Sequence, residues 1–233
     1  MKVFHKVTKW LFILCLPLLL LSASIGGAAN SPALYRYGFD KYEVSRTTGL
    51  SDAELDGAAR GLINYFNSSE EYINVTVVKD GQTFSLFNEQ EAIHLKDVKG
   101  LFRLDYWVFL GTLLYSLAYA VFFLWLGGRR RVALGLIWGS GLTLGLMLLL
   151  GLSAMLNFDQ LFLQFHLLSF TNEFWQLDPS RDYLIMLFPG GFWYDATLFI
   201  TSATGVGAVI LGGLGYLLFI LPPAAVAGRR WKR

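Results

Sequence analysis

Polar and apolar positions along the chain sort into four long apolar runs, residues 10–29, 106–126, 132–156 and 198–221, separated by polar stretches. Each run is close to the roughly 20 residues a helix needs to cross the hydrocarbon core of a bilayer, so four membrane-spanning helices are predicted. Between the first two runs the periodicity changes. Leu55, Ala58, Ala59, Leu62, Ile63 and Phe66 recur at helical spacing behind Ser51 and Glu54, which read as a capping box. Residues 72–78 and 83–87 then read as two strands joined through Asp80 and Gly81. Two short strands are marginal alone, so this hairpin is expected to pack on the preceding helix or on the membrane surface.

Two further segments carry polar residues at helical spacing. Residues 87–102, FNEQEAIHLKDVKGLF, would place Glu91, His94 and Asp97 along one helix face. Residues 158–179 are too apolar for a solvated loop. Their Phe and Trp content suits a helix continuing from the third run or lying at the membrane interface. On helical spacing Asp159, His166 and Glu173 form a stripe seven residues apart. Residues 182–195 read as a membrane-surface turn, broken at Pro189, Gly190 and Gly191.

Composition agrees with this pattern: 55% hydrophobic residues and a mean hydropathy of +0.48 exclude an ordinary soluble domain. Orientation follows from the basic flanks. Lys2, Lys6 and Lys9 precede the first run, Arg129, Arg130 and Arg131 fill the turn between the second and third, and Arg229, Arg230, Lys232 and Arg233 close the chain. All three clusters fall on one side, which the positive-inside rule makes cytoplasmic. The net charge of +2 therefore reports topology and contacts with anionic membrane lipids, and no nucleic-acid partner is expected. The predicted fold class is a mainly α membrane protein of four transmembrane helices, N-in and C-in, with a small α+β extracytoplasmic module between spans one and two. Residues 1–30 form the first span with its basic start, 31–105 the module, and 106–156 spans two and three. Residues 157–197 form a second outer, interfacial segment, and 198–233 span four and a basic tail. The first run also has the basic start and small residues of a cleavable signal peptide, but its apolar stretch is longer than most signal centres and reads as an anchor.

A lone cysteine excludes a disulfide framework or a cysteine-rich metal cluster. Cys15 sits early in the first run, roughly 20 Å from its outer edge at 1.5 Å per residue, too deep to serve an outer site. The glycines at 135, 139, 141, 145 and 151, and at 205, 207, 212, 213 and 215, read as close helix packing in lipid.

Of three histidines, His94 and His166 fall in the two outer segments and His5 lies on the opposite side. Imidazole is the side chain most readily tuned for proton transfer near neutral pH. Glu91 or Asp97 is placed to hold the His94 ring, although the same spacing also describes a solvated polar face. Lys96, Lys99 and Arg103 are placed near lipid phosphates just before the second span.

Residues 91–99, EAIHLKDVK, together with Phe165, His166, Ser169, Phe170, Asn172, Trp175, Pro179, Asp182, Leu184, Phe188, Pro189, Phe192 and Asp195, give the chain its family likeness. In these two places and in their order between the spans it resembles a family of bacterial four-span membrane proteins that includes the lipoprotein intramolecular transacylase. Gly190 departs from the acidic residue that many members place after the Phe-Pro pair, and no role is assigned there. The resemblance implies an acyltransferase acting on a diacylglyceryl lipoprotein, moving the sn-2 acyl chain to the free amine of the N-terminal cysteine. It implies His94 and His166 as the catalytic pair, with no cofactor and no resident metal. Glu91, Asp97 and Asn172 are expected in support, and Lys99 and Arg103 at lipid head groups. The oligomeric state stays open.

The chemistry fits the residues on its own terms. An amine attacking an ester on the same molecule has the proximity advantage already, so no covalent nucleophile is needed. What remains is proton removal, oxyanion stabilisation and protonation of the departing oxygen. Three rivals remain at this level: a metal-dependent hydrolase, which lacks the HExxH spacing, a non-enzymatic adaptor or sensor, and an acyltransferase working between separate molecules.

Overall fold

A computed structural model describes residues 2–221, with side chains from residue 5 onward. The basic tail at 229–233 lies outside the described residues. Within them, four helices are long and apolar enough to cross a membrane: α1 (Lys2–Ala29), α5 (Glu89–Trp125), α6 (Arg129–Ser169) and α8 (Gly190–Ile220). The first carries Pro17 inside it, a residue tolerated in membrane helices where neighbours satisfy the freed backbone.

Helices α5 and α6 are longer than any bilayer requires. At 37 and 41 residues they run about 55 and 60 Å, against a hydrocarbon core of about 30 Å. Residues 89–105 of α5, which carry Glu89, Glu91, Lys96, Asp97, Lys99, Arg103 and Asp105, therefore project beyond the span. So do residues 158–169 of α6, past a break at Asn157 (φ −159°, ψ 85°), whose side-chain oxygen accepts from the Gln160 amide at 3.1 Å and restarts the helix. The polar face at 87–102 and the aromatic segment after span three are thus extensions of spanning helices. At the other end of the bundle α5 and α6 join through Gly127, at a φ of +73°.

Within the bundle α6 packs along α8, and α1 lies against α5, α6 and α8. Part of the glycine pattern is explained by this packing. A Cβ on Gly135 would stand 2.6 Å from the Phe12 ring, one on Gly139 2.4 Å from Leu16, and one on Gly215 2.9 Å from the Ala133 carbonyl oxygen. Gly141, Gly145 and Gly213 face open space, so the packing expectation fails for them.

The polar module sits at the end of the bundle away from Gly127. Helix α4 (Asp52–Asn67) is amphipathic as expected, burying Leu55, Ala58, Ala59, Leu62, Tyr65 and Phe66. Ser51 caps it through the Glu54 amide at 3.3 Å, but the box does not close, because the Glu54 carboxylate accepts instead from the Val78 amide at 2.9 Å. That bond ties α4 to the hairpin β1 (Thr76–Lys79) and β2 (Gln82–Ser85), whose two-residue turn puts Asp80 and Gly81 at positive φ. The strands are shorter than the alternation suggests. Directly ahead of β1 the Val75 carbonyl still accepts from the Leu86 amide at 2.8 Å, while further back the carbonyls of Glu70 and Glu71 accept from Lys99 and Tyr65. Two short helices were not foreseen: α2 (Pro32–Lys41), capped by Ser31 with proline in its first turn, and α3 (Val44–Thr48). A further short helix, α7 (Tyr183–Leu187), precedes α8, and its Leu184 and Leu187 join Tyr35, Phe39, Leu62, Leu86 and Leu95 in one core.

Candidate functional site

The capping box that closes is at the start of α5. Asn88 accepts from the Glu91 amide at 3.0 Å, and the Glu91 carboxylate returns a bond from the Asn88 amide at 2.7 Å. This fixes where α5 begins, and hence places His94 one turn further on, on the face that looks toward the end of α6. There it meets His166. The two imidazole centroids are 6.1 Å apart with planes 28° from parallel, and the residues are 7% and 8% exposed. The expectation that His94 and His166, from two separate polar segments, come together is met geometrically.

The surroundings are aromatic. Phe170 stands edge-on to His94 at 5.0 Å and 5.6 Å from His166, and Phe162 and Trp175 lie 4.4 Å and 5.0 Å from His166. Such a cage strips water from both rings. Both lie outside the apolar runs, and burial pushes each below the usual imidazole value, His94 to about 4 with the neighbouring His166 adding to the effect. Both are neutral at pH 7.

Their hydrogen bonds differ in a way that matters chemically. His166 Nδ1 lies 2.8 Å from the Phe162 carbonyl oxygen, which can only accept. The proton therefore sits on Nδ1, and Nε2 presents a lone pair. His94 Nδ1 is buried and has no hydrogen-bond partner among the described residues. A buried polar atom left unpaired costs about 1–3 kcal/mol, a cost that recurs at sites where a ligand supplies the missing bond.

The expected supporting residues separate into two groups. Asp97 and Asn172 meet, the Asn172 amide donating to the Asp97 carboxylate at 2.8 Å, across the α5–α6 boundary and beside Phe170. Glu91 does not hold the His94 ring. Its second oxygen accepts from the Leu184 amide at 2.6 Å, so both oxygens serve backbone groups, and the residue is 1% exposed. Burial pushes its carboxyl up and those two amides hold it down, burial being the larger effect. Asp182, fully buried, completes this knot by accepting from Asn88 at 2.9 Å and from the Asp178 amide at 2.7 Å. In the structure Glu91 joins α5 to α7 and does not bond to the His94 ring, because a buried carboxylate is drawn to the nearest unsatisfied N–H groups.

Lys99, too, turns inward. It is 2% exposed, donates to Ser68 Oγ at 3.0 Å and the Glu70 carbonyl at 2.7 Å, and stands 3.9 Å above the Tyr65 ring. With two of its three N–H groups bonded inside the module and the third shielded by burial over Tyr65, it is turned away from lipid phosphates. Arg103 is exposed and donates to the Ser68 carbonyl at 3.3 Å. The stripe through Glu173 fails too. Helix α6 ends at Ser169, and Asn172 turns the chain by accepting from the Phe174 amide at 3.1 Å.

Sequence reasoning assigned no role to the aromatic cage or to the Asp195 cluster, although Phe170, Trp175 and Asp195 belong to the family likeness. Asp195, near the start of α8, accepts from Lys41 at 2.6 Å, Tyr42 at 2.7 Å and Tyr37 at 3.2 Å, and so pins α2 to the bundle. Among the described residues no group of three His, Cys, Asp or Glu side chains is placed to hold a metal ion.

Four spanning helices, two of them extended to bring a pair of buried imidazoles under an aromatic cover, define a polytopic membrane protein with a histidine pair at one end of its bundle. Comparison with known proteins narrows that class. The sequence pattern of the lipoprotein intramolecular transacylase family, Lit, matches residues 10–193, and the chain belongs to this family of acyltransferases. The fold is also that of the membrane-integral lipoprotein intramolecular transacylase Lit from Bacillus cereus, with a TM-score of 0.82 at 19% identity over 94% of this chain and 97% of that one. A histidine-to-arginine variant of the same Bacillus cereus protein superposes with a TM-score of 0.76, covering 93% of this chain and 92% of the other at 19% identity. A protein of Aquifex aeolicus (strain VF5), described only as an uncharacterized protein, is 29% identical over 134 residues, which is 55% of this chain and 57% of that relative's length.

Proposed function

We propose that this chain is a lipoprotein intramolecular transacylase, moving the sn-2 acyl chain of a diacylglyceryl lipoprotein onto the α-amino group of its N-terminal cysteine. The observation that carries the reading is the pair of neutral imidazoles 6.1 Å apart in a chain of this family. His166 Nε2, its lone pair fixed by the Nδ1 bond to Phe162, takes a proton from the attacking amine as the nitrogen bonds to the ester carbonyl carbon. The carbonyl–oxygen bond to the glyceryl group then breaks, and the proton passes to that oxygen, leaving an amide and a free hydroxyl. His94 lies across the reacting carbon, its unpaired nitrogen meeting the polar atoms of the tetrahedral intermediate. The reaction balances without a cofactor or an outside acyl donor.

The site is assigned to the extracytoplasmic face of the cell membrane, on the distribution of basic residues around the spans. Residues 31–105 and 157–197 form the outer unit in this reading, and membrane lipids surround the spans and the exposed apolar residues Leu163, Leu167 and Leu168 of α6.

Mass spectrometry of lipoprotein N-terminal peptides tests it, from cells expressing the wild-type chain, His94→Ala or His166→Asn. N-acylated, lyso-glyceryl termini are expected with the wild type alone, since loss of positioned acid–base catalysis costs roughly 10²–10⁴ in rate. Free-amine, diacylglyceryl termini in cells with well-expressed wild type would overturn the reading, and accumulation of a separate donor's head group would replace it with intermolecular transfer.

A further inference from the structure

A cleft of about 550 Å³ opens next to Phe170, within the roughly 300–1,000 Å³ range of ligand sites. One wall is the face of α5 carrying Lys96, Asp97, Gly100 and Arg103, and the other is formed by residues 69–71 and 169–172. Phe170 belongs to both places: its ring lines the cleft and touches His94 and His166 at centroid distances of 5.0 and 5.6 Å. Phe170 thus stands between the cleft and the histidines, with Asp97 and Asn172 beside it, and the cleft opens to solvent along Glu70 and Arg103, both exposed.

A substrate of the class proposed above has two unlike parts. Its acyl chains belong in lipid, and the apolar face of α6 at Leu163, Leu167 and Leu168 is open to lipid. Its polypeptide leaves the cysteine from the carbonyl carbon, one bond from the carbon that bears the reacting amine, and must exit away from hydrocarbon, because unpaired backbone amides are costly there. We propose, resting on the function assigned above, that this cleft is the subsite for the first residues of the lipoprotein's polypeptide after the modified cysteine. The chain lies extended along α5, its amino end at Asp97 and its continuation passing Glu70 and Arg103. The walls carry both charge signs, with Lys96 already paired to Glu71 at 2.6 Å and Lys99 engaged inside the module, so they offer hydrogen bonds to a backbone without demanding one charge from its side chains. Such a subsite suits an enzyme that accepts many lipoproteins.

Gly100 provides the test. It lies exposed on the cleft wall, and a Cβ there would meet nothing within 4 Å, so a large side chain fills the cleft without disturbing the core. The full chain in proteoliposomes is given a diacylglyceryl lipopeptide with several residues after the cysteine, or a diacylglyceryl cysteine amide with none. Gly100→Trp should lower kcat/KM on the lipopeptide at least tenfold and change the rate on the truncated substrate less than twofold, while Gly100→Ala matches wild type on both. A lipopeptide with a photoreactive group on its third residue should label residues 69–71, 96–103 or 169–172. Labelling elsewhere, or equal turnover of the lipopeptide by wild type and a folded Gly100→Trp, overturns the subsite and leaves the transacylase reading standing. Failure of the wild type to convert the lipopeptide overturns both.

Discussion

Replacing Glu91 discriminates most sharply between a catalytic and an architectural account of the site. Its carboxylate accepts from two backbone amides, Asn88 at 2.7 Å and Leu184 at 2.6 Å, at a residue 1% exposed. Hydrogen bonds to a charged group contribute about 1.5–3 kcal/mol each, so Glu91→Leu, which leaves both amides buried and unpaired, should cost about 3–6 kcal/mol. Glu91→Gln retains one acceptor oxygen and turns an amide NH2 toward the other N–H, so roughly half that loss is expected. For a chain of this size 1 kcal/mol corresponds to about 2–4 °C in Tm, which places Glu91→Gln about 3–12 °C below wild type in detergent. Acyl shift on lipopeptide, measured well below that Tm, should keep kcat within severalfold, because Glu91 makes no bond to His94. An unchanged Tm with a hundredfold loss of kcat would refute this reasoning and return Glu91 to the imidazole.

Three other outcomes follow from the same geometry. With both imidazoles held below their usual value, the acid limb of kcat/KM should follow the substrate's α-ammonium, near pH 7.7–8 for an ordinary amine, and a pH-rate profile with its limb near 6.5 would count against the buried pair. Stability should show His94 separately: the unfolded chain takes up a proton near pH 6.5 and the folded one only near 4. Stability is therefore full above about pH 6.5 and falls by about 3 kcal/mol as pH drops to 4, and a His94→Phe variant should show a flatter Tm–pH curve over that window. Gly139→Val should destabilise the bundle by about 1–3 kcal/mol through collision with Leu16, whereas Gly141→Ala, facing open space, should leave Tm unchanged or raised slightly; equal losses at both positions would contradict the packing described.

Much of this protein is written locally in its chain. Apolar runs long enough for a bilayer, the heptad-like burial of α4 and the Asp80–Gly81 turn are all set by residues near one another in sequence, and each forms where the pattern predicts it. The order of Glu91, His94 and Asp97, then His166 and Asn172, identified the residues worth watching. Their partners were not legible, because a carboxylate one turn from an imidazole can serve the ring, the solvent or a distant amide with equal local propensity. Only the docking of α7 against the start of α5 presents the Leu184 amide to Glu91, and only the end of α6 at Ser169 lets Asn172 turn back to Asp97. Lys99 shows the same division: its position before the second span suggests lipid, and the loop at 68–70 folded over it decides otherwise. Local sequence determined the helices and named the histidines. Tertiary packing, by choosing which buried polar groups satisfy one another, left His94 Nδ1 unpaired and His166 Nε2 with a free lone pair.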